Sequence, residues 1–129
     1  MTRALRFLET DDVLNLGRRL LGDPVPVRDM GLLNSAVLRP QTTFGGEYAY
    51  RDIYEMAAAL LQSIVGNQAL IDGNKRLGWL STAVFLEVNG VPVSRLTNDQ
   101  VYDLVLWVAA TSPSHGAITV RLKSLLTPE

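Results

Sequence analysis

Apolar residues recur along most of this chain at the three- and four-residue spacing of a helix, not at the alternation of a strand. Val13, Leu14, Leu16, Gly17, Leu20 and Leu21 line one face of a first helix. It opens at Thr10, with Asp11 and Asp12 in its first turn, and ends at Gly22. Asp23–Val27, "DPVPV", holds two prolines and reads as an extended connection. Asp29 caps a short helix through Leu32, Leu33, Ala36 and Val37, which Pro40 stops. From Ile53, capped by Asp52, to Val65, and again from Lys75 to Val88, apolar residues cover nearly the whole helical circumference. Such helices are buried on most sides. The second ends at Asn89-Gly90, a left-handed stop. Thr97 or Asn98 opens a further helix through Val101, Leu104, Val105 and Val108; "SPSHG" breaks it, and Ala117–Leu126 forms a short closing helix. The expected fold is all-α, a compact helical bundle around two buried central helices, in a single domain over residues 1–129.

Strand signal is confined to Arg3–Phe7 and to Arg39–Asp52, "RPQTTFGGEYAYRD". The latter has no helical period and combines Pro40, Gly45-Gly46 and the aromatics Phe44, Tyr48 and Tyr50. It reads as an irregular or hairpin flap, either a plain surface loop or a mobile segment that docks a partner through Phe44, Gly45, Gly46 and Tyr48.

Composition narrows the function classes. The chain has no Cys, which excludes disulfides, thiolate metal sites and a Cys nucleophile. Its net charge of −1 does not point to nucleic acid or a membrane surface. The beginning lacks the apolar core of a secretory signal, and no apolar run is long enough to span a bilayer. The expectation is a cytoplasmic protein.

The chemistry concentrates in "NQALIDGNKRLGW", Asn67 to Trp79, between the two buried helices. The first N–H groups of a helix lack internal partners and carry the positive end of its dipole. Such an end receives anions. Gly73 lets the backbone approach a ligand closely, and Asn74 offers a cap and an amide. Lys75 and Arg76 add full positive charge in the first turn, an unfavourable place for it unless an anion binds nearby. Asp72 beside a polyphosphate is a ligand for Mg²⁺. Each part alone is common, so a phosphate and metal cradle and an ordinary capped loop both remain open. The spacing is neither that of a P-loop nor that of a dinucleotide fingerprint.

"DGNKR" between two apolar helices, preceded by "AAALLQSIVGNQAL", resembles the Fic/Doc family, whose motif runs His-x-Phe-x-Asp/Glu-Gly/Ala-Asn-Gly/Lys-Arg. "DMGLLNSAVLRPQTTFGG" and "AVFLEVNG" are similar to the helix, flap and central helix of its Doc branch, so the resemblance covers most of the chain. It implies a toxin that uses ATP and Mg²⁺ to phosphorylate a hydroxyl of elongation factor Tu, inhibiting translation, and that a small Phd-like antitoxin neutralises. Lys75 in place of a second Gly, and Trp79 in place of a second Arg, favour this over the AMP transfer of Fic enzymes. By the resemblance, Asp72 holds Mg²⁺, Gly73, Asn74 and Lys75 bind phosphate, and Arg76 both binds phosphate and stabilises charge during transfer.

The chain departs from the motif where the reaction needs a base. The family's catalytic His falls on Gln68, and Leu70 stands in place of Phe. A Gln amide forms hydrogen bonds but does not take a proton near neutral pH. His115, the only His, is expected in an exposed turn and is no substitute. Gln68 therefore marks either a pseudoenzyme that binds nucleotide or a protein partner without turnover, or a version of a toxin from which the base was removed. The intact remainder of the site favours the second reading.

Overall fold

The computed structural model describes residues 4–128. Six helices form the body: α1 (Thr10–Leu21), α2 (Met30–Leu38), α3 (Ile53–Asn67), α4 (Asn74–Val88), α5 (Asn98–Thr111) and α6 (His115–Leu126). One small antiparallel hairpin, β1 (Thr43–Phe44) and β2 (Glu47–Tyr48), stands between α2 and α3. The fold is the expected all-α bundle. The central pair is α3 and α4; α3 also packs against α6, α2 and α5, and α1 covers α4.

The sequence explains this centre. Met56 through Leu61 of α3 form a continuous buried run, and Leu77, Phe85 and Leu86 of α4 are fully buried. Helices of this kind stay in place by packing more than by propensity. At their crossing Gly78 removes a Cβ that would lie 2.8 Å from Val65 Cγ2, so the two backbones approach closely. Ser81 is fully buried in α4 and its hydroxyl forms no hydrogen bond among the described residues. Ser81→Ala is therefore expected to raise stability by about 1 kcal/mol, by relieving an unpaired polar group in a helix interior. A lower midpoint in thermal or urea unfolding would contradict this.

Two helix starts and one expected strand differ from expectation. Helix α1 is capped by Glu9, whose N–H donates to Asp12 Oδ2 at 2.8 Å. Thr10 is its first residue instead, and the Thr10 hydroxyl bonds to Asn34 Oδ1. Helix α6 begins at His115, inside the expected breaker, because the Ser114 side chain accepts from Ala117 N–H and caps it. Arg3 lies outside the described residues, and Ala4–Phe7 form no strand. The Asn89 amide serves this stretch instead of a partner strand, accepting from Arg6 N–H and donating to Arg6 C=O, both at 2.9 Å.

Asp52 caps α3 as expected, accepting from Glu55 N–H at 2.9 Å, and Lys123 Nζ reaches it from α6 at 3.0 Å. Burial alone would raise the Asp52 carboxyl, but the Glu55 N–H bond, Lys123 and the Tyr54 N–H outweigh it and hold it below its usual value. A lowered native value means that this stabilisation is complete above the ordinary carboxylate range and fades as pH falls through the native value. Asp52→Ala is expected to cost about 1 kcal/mol at pH 7. In unfolding curves the difference from the starting protein should shrink at pH 3; a difference independent of pH would contradict the assignment.

Candidate active site

The connection between α3 and α4 is fixed from both sides. Helix α3 ends on Gln68, whose φ of 51° and ψ of 48° are left-handed. That conformation costs a residue other than Gly about 1–2 kcal/mol, so its surroundings must impose it. Ala69 and Leu70 then turn inward and are almost fully buried; Leu70 anchors the loop where the family motif has Phe. The extended connection after α1 runs alongside. Val27 bridges Leu70 in antiparallel fashion, Arg28 and Asp29 N–H donate to Ala69 C=O at 2.7 and 3.0 Å, and Ile71 N–H donates to Pro26 C=O at 2.8 Å. From within the loop, Asn74 Oδ1 accepts from Leu70 N–H and Asn74 Nδ2 donates to Leu70 C=O, both at 3.0 Å.

Helix α4 starts without a side-chain cap. Gly73, at φ 89°, occupies the cap position, and the first helical bond runs from Leu77 N–H to Gly73 C=O at 2.9 Å. A side chain at 73 would be strained at that φ, and its Cβ would lie 2.6 Å from Leu21. Asn74, expected as a cap, is instead the first helical residue. Its amide serves the buried backbone of Leu70, which would otherwise lack partners. The N–H groups of Asn74, Lys75 and Arg76 thus head the helix, and among the described residues no side-chain oxygen caps them.

These residues share one cavity of about 290 Å³, lined by Gln68, by Asp72 through Arg76, by Val65 and Ile71, and by Ala109 of α5. All six residues expected in the cradle meet there. Lys75 and Arg76 are exposed, and among the described residues neither forms a salt bridge. Asp72 Oδ1 accepts from Gly73 N–H at 2.9 Å. Among the described residues no group of three or more His, Asp or Glu is placed to hold a metal. Asp72 lines the cavity and is the carboxylate that would hold Mg²⁺ arriving on a polyphosphate.

The flap is a hairpin. Gly45 and Gly46, at φ 61° and 84°, form its two-residue turn, with Thr43 opposite Tyr48 and Phe44 opposite Glu47. Phe44 is 86% exposed, and Tyr48, 46% exposed, leans on Phe7. Tyr50 is not free. Its hydroxyl accepts from Arg39 Nε at 2.8 Å, and its ring meets His115 edge to face. His115, expected to be exposed, is half-buried there and outside the cradle. Arg28 had no signal in the sequence: it lies forty residues from Gln68, yet its Nε and Nη2 both donate to Gln68 C=O, at 3.1 and 2.5 Å.

A helical bundle that presents an uncapped, cation-flanked helix start next to a left-handed loop residue carries a candidate anion site there. The Fic/DOC family model matches residues 7–86, from before α1 to near the end of α4, which includes the whole cradle. This chain belongs to that family. It is 42% identical over 117 residues to Toxin Doc of Mycolicibacterium smegmatis, a match covering 90% of each chain.

Proposed function

We propose that this chain is a Doc-type toxin whose cradle binds ATP with Mg²⁺ and directs the γ-phosphate to a hydroxyl of a translation factor, elongation factor Tu by the family resemblance. The observation that carries this is the cavity in which the bare α4 N-terminus, Lys75 and Arg76 face Gln68 and Asp72. In the reaction the hydroxyl oxygen bonds to the γ-phosphorus, the bond to the bridging oxygen breaks, and ADP leaves with the electron pair. Arg76 and the helix N–H groups stabilise charge on the transferring phosphoryl group. Asp72 would hold Mg²⁺ brought by the nucleotide, and the ion would supply further charge neutralisation. The hydroxyl proton needs a base at position 68, which the Gln68→His form supplies. The Gln68 amide orients the hydroxyl and does not take that proton, so transfer by this chain is slow or absent.

Lys75 supports phosphate over AMP transfer, because a cation at the second helical position draws the terminal phosphates towards it. The test uses the Gln68→His form with ATP labelled at the γ- or the α-phosphate. Label reaching a protein from the γ position supports the proposal; label from the α position makes it an AMP transferase. Gln68 itself supports a second reading, a pseudoenzyme, which gives nucleotide binding and no label in either form.

The partner proposed for regulation is the cognate antitoxin. An apolar groove of about 600 Å³ runs from Leu20, Trp79 and Leu80 to Val101, Tyr102 and Leu106, with Lys75 and Arg76 at its edge. An amphipathic antitoxin segment seated there covers apolar surface and both cradle cations. The protein target is proposed to dock on the flap. Phe44→Ala is expected to raise KM for the protein target about thirtyfold, the loss of an exposed aromatic anchor. It should leave ATP affinity and thermal stability unchanged. A parallel loss of ATP binding would make the hairpin a structural part of the cradle.

A further inference from the structure

We propose that Arg28 is a positioning residue for the reaction, clamping the carbonyl of residue 68 so that the side chain at 68 faces the cradle. The inference rests on the proposed reaction for its catalytic part and stands on geometry for the rest. Gln68 is one of two residues other than Gly with positive φ among those described, the other being Ser112 at the end of α5. Two guanidinium N–H groups of Arg28 converge on its carbonyl. The same stretch, Pro26 to Asp29, is hydrogen-bonded to Ala69 and Ile71. The backbone of Arg28 is therefore fixed beside residue 68, and its exposed side chain reaches the carbonyl through the two guanidinium bonds. Rotating the 68 peptide out of the left-handed region would carry its carbonyl away from the guanidinium, and the two bonds resist this. A base must sit within hydrogen-bond reach of the hydroxyl it serves, and small misplacements of such groups cost rate steeply.

A cation on a terminal carbonyl also caps a helix, which is the simpler role for Arg28. Two features separate the roles. The clamped residue is the one at which the reaction needs its base, and the clamp brings a fixed charge beside it. The charged groups around position 68 are Arg28 and Asp29 from the extended connection, and Asp72, Lys75 and Arg76 from the loop and α4; α5 contributes the uncharged Ala109. Asp29 is occupied by Leu32 N–H, and the balance of three cations over two carboxylates favours an uncharged imidazole at 68.

The test has three readouts. In the chain as it stands, Arg28→Ala should move the Cα and carbonyl chemical shifts of Gln68 out of the left-handed range, while Arg28→Lys, with one ammonium in place of a fork, recovers them only in part. In the Gln68→His background, the introduced imidazole should titrate below the ordinary value near 6.5 and rise by about half a unit or more on Arg28→Ala. In the same background Arg28→Ala should lower kcat about ten- to a hundredfold, with KM for ATP changed less than about twofold. A folded Arg28→Ala protein with unchanged Gln68 shifts, unchanged titration and unchanged kcat would overturn the proposal and leave Arg28 a helix cap. If Gln68→His with Arg28 intact transfers no phosphate, the functional reading fails, while the shift and titration readouts still decide the clamp.

Discussion

Replacing Gln68 by His is expected to raise phosphate transfer by about 10²–10⁴, the range that a positioned general base supplies. The backbone is already prepared for this. Residue 68 is held left-handed at the edge of the cavity that Asp72 to Arg76 line, and a substitution of one non-Gly residue for another adds no strain at that φ. An imidazole titrates near neutral pH, so a large share of it is free to accept the hydroxyl proton. In bacteria the change should appear as growth arrest that the cognate antitoxin relieves, with the Gln68 form tolerated. A folded Gln68→His protein that binds ATP, arrests no growth and labels no protein in an extract would contradict the toxin reading.

Arg76→Ala is expected to weaken Mg-ATP binding by about 1.5–3 kcal/mol, the loss of charge-assisted hydrogen bonds, or roughly ten- to 150-fold in Kd. The side chain is exposed in the first turn of α4 and forms no salt bridge among the described residues, so its removal leaves no buried partner stranded. The fold should therefore be unaffected and the whole effect should fall on the ligand. Because the contact is solvent-accessible, added salt should weaken binding by the starting protein more than by the variant. Unchanged affinity in calorimetry would remove Arg76 from the cradle.

The helices were legible because apolar spacing records burial, and α3 and α4, apolar nearly all round, emerged as the central pair. The meeting of Asp72 to Arg76 in one cavity was legible for a related reason: they are contiguous, so one loop and one helix start determine where they lie. What the sequence did not show depends on chain segments far apart. Arg28 meets Gln68 only because the connection after α1 pairs with the loop after α3. Tyr50 belongs to the flap stretch, but Arg39 holds its hydroxyl and His115 from α6 meets its ring, two contacts with no local signature. Asn74 read as a cap because Asn so often is one. Gly73 took that place through a positive φ, freeing the Asn74 amide to hold Leu70. The capping of α1 by Glu9 is a local competition that Asp12 decides, one residue away from the favoured Thr10.

The central claim is that the bare α4 N-terminus with Lys75 and Arg76 binds nucleotide phosphate independently of the residue at 68. Calorimetric titration of the chain as it stands with ATP in millimolar Mg²⁺ tests this most directly. Saturable binding at one site, reduced by Arg76→Ala and unchanged by Gln68→His, is the predicted result; a folded sample that takes up no Mg-ATP at millimolar ligand would contradict it.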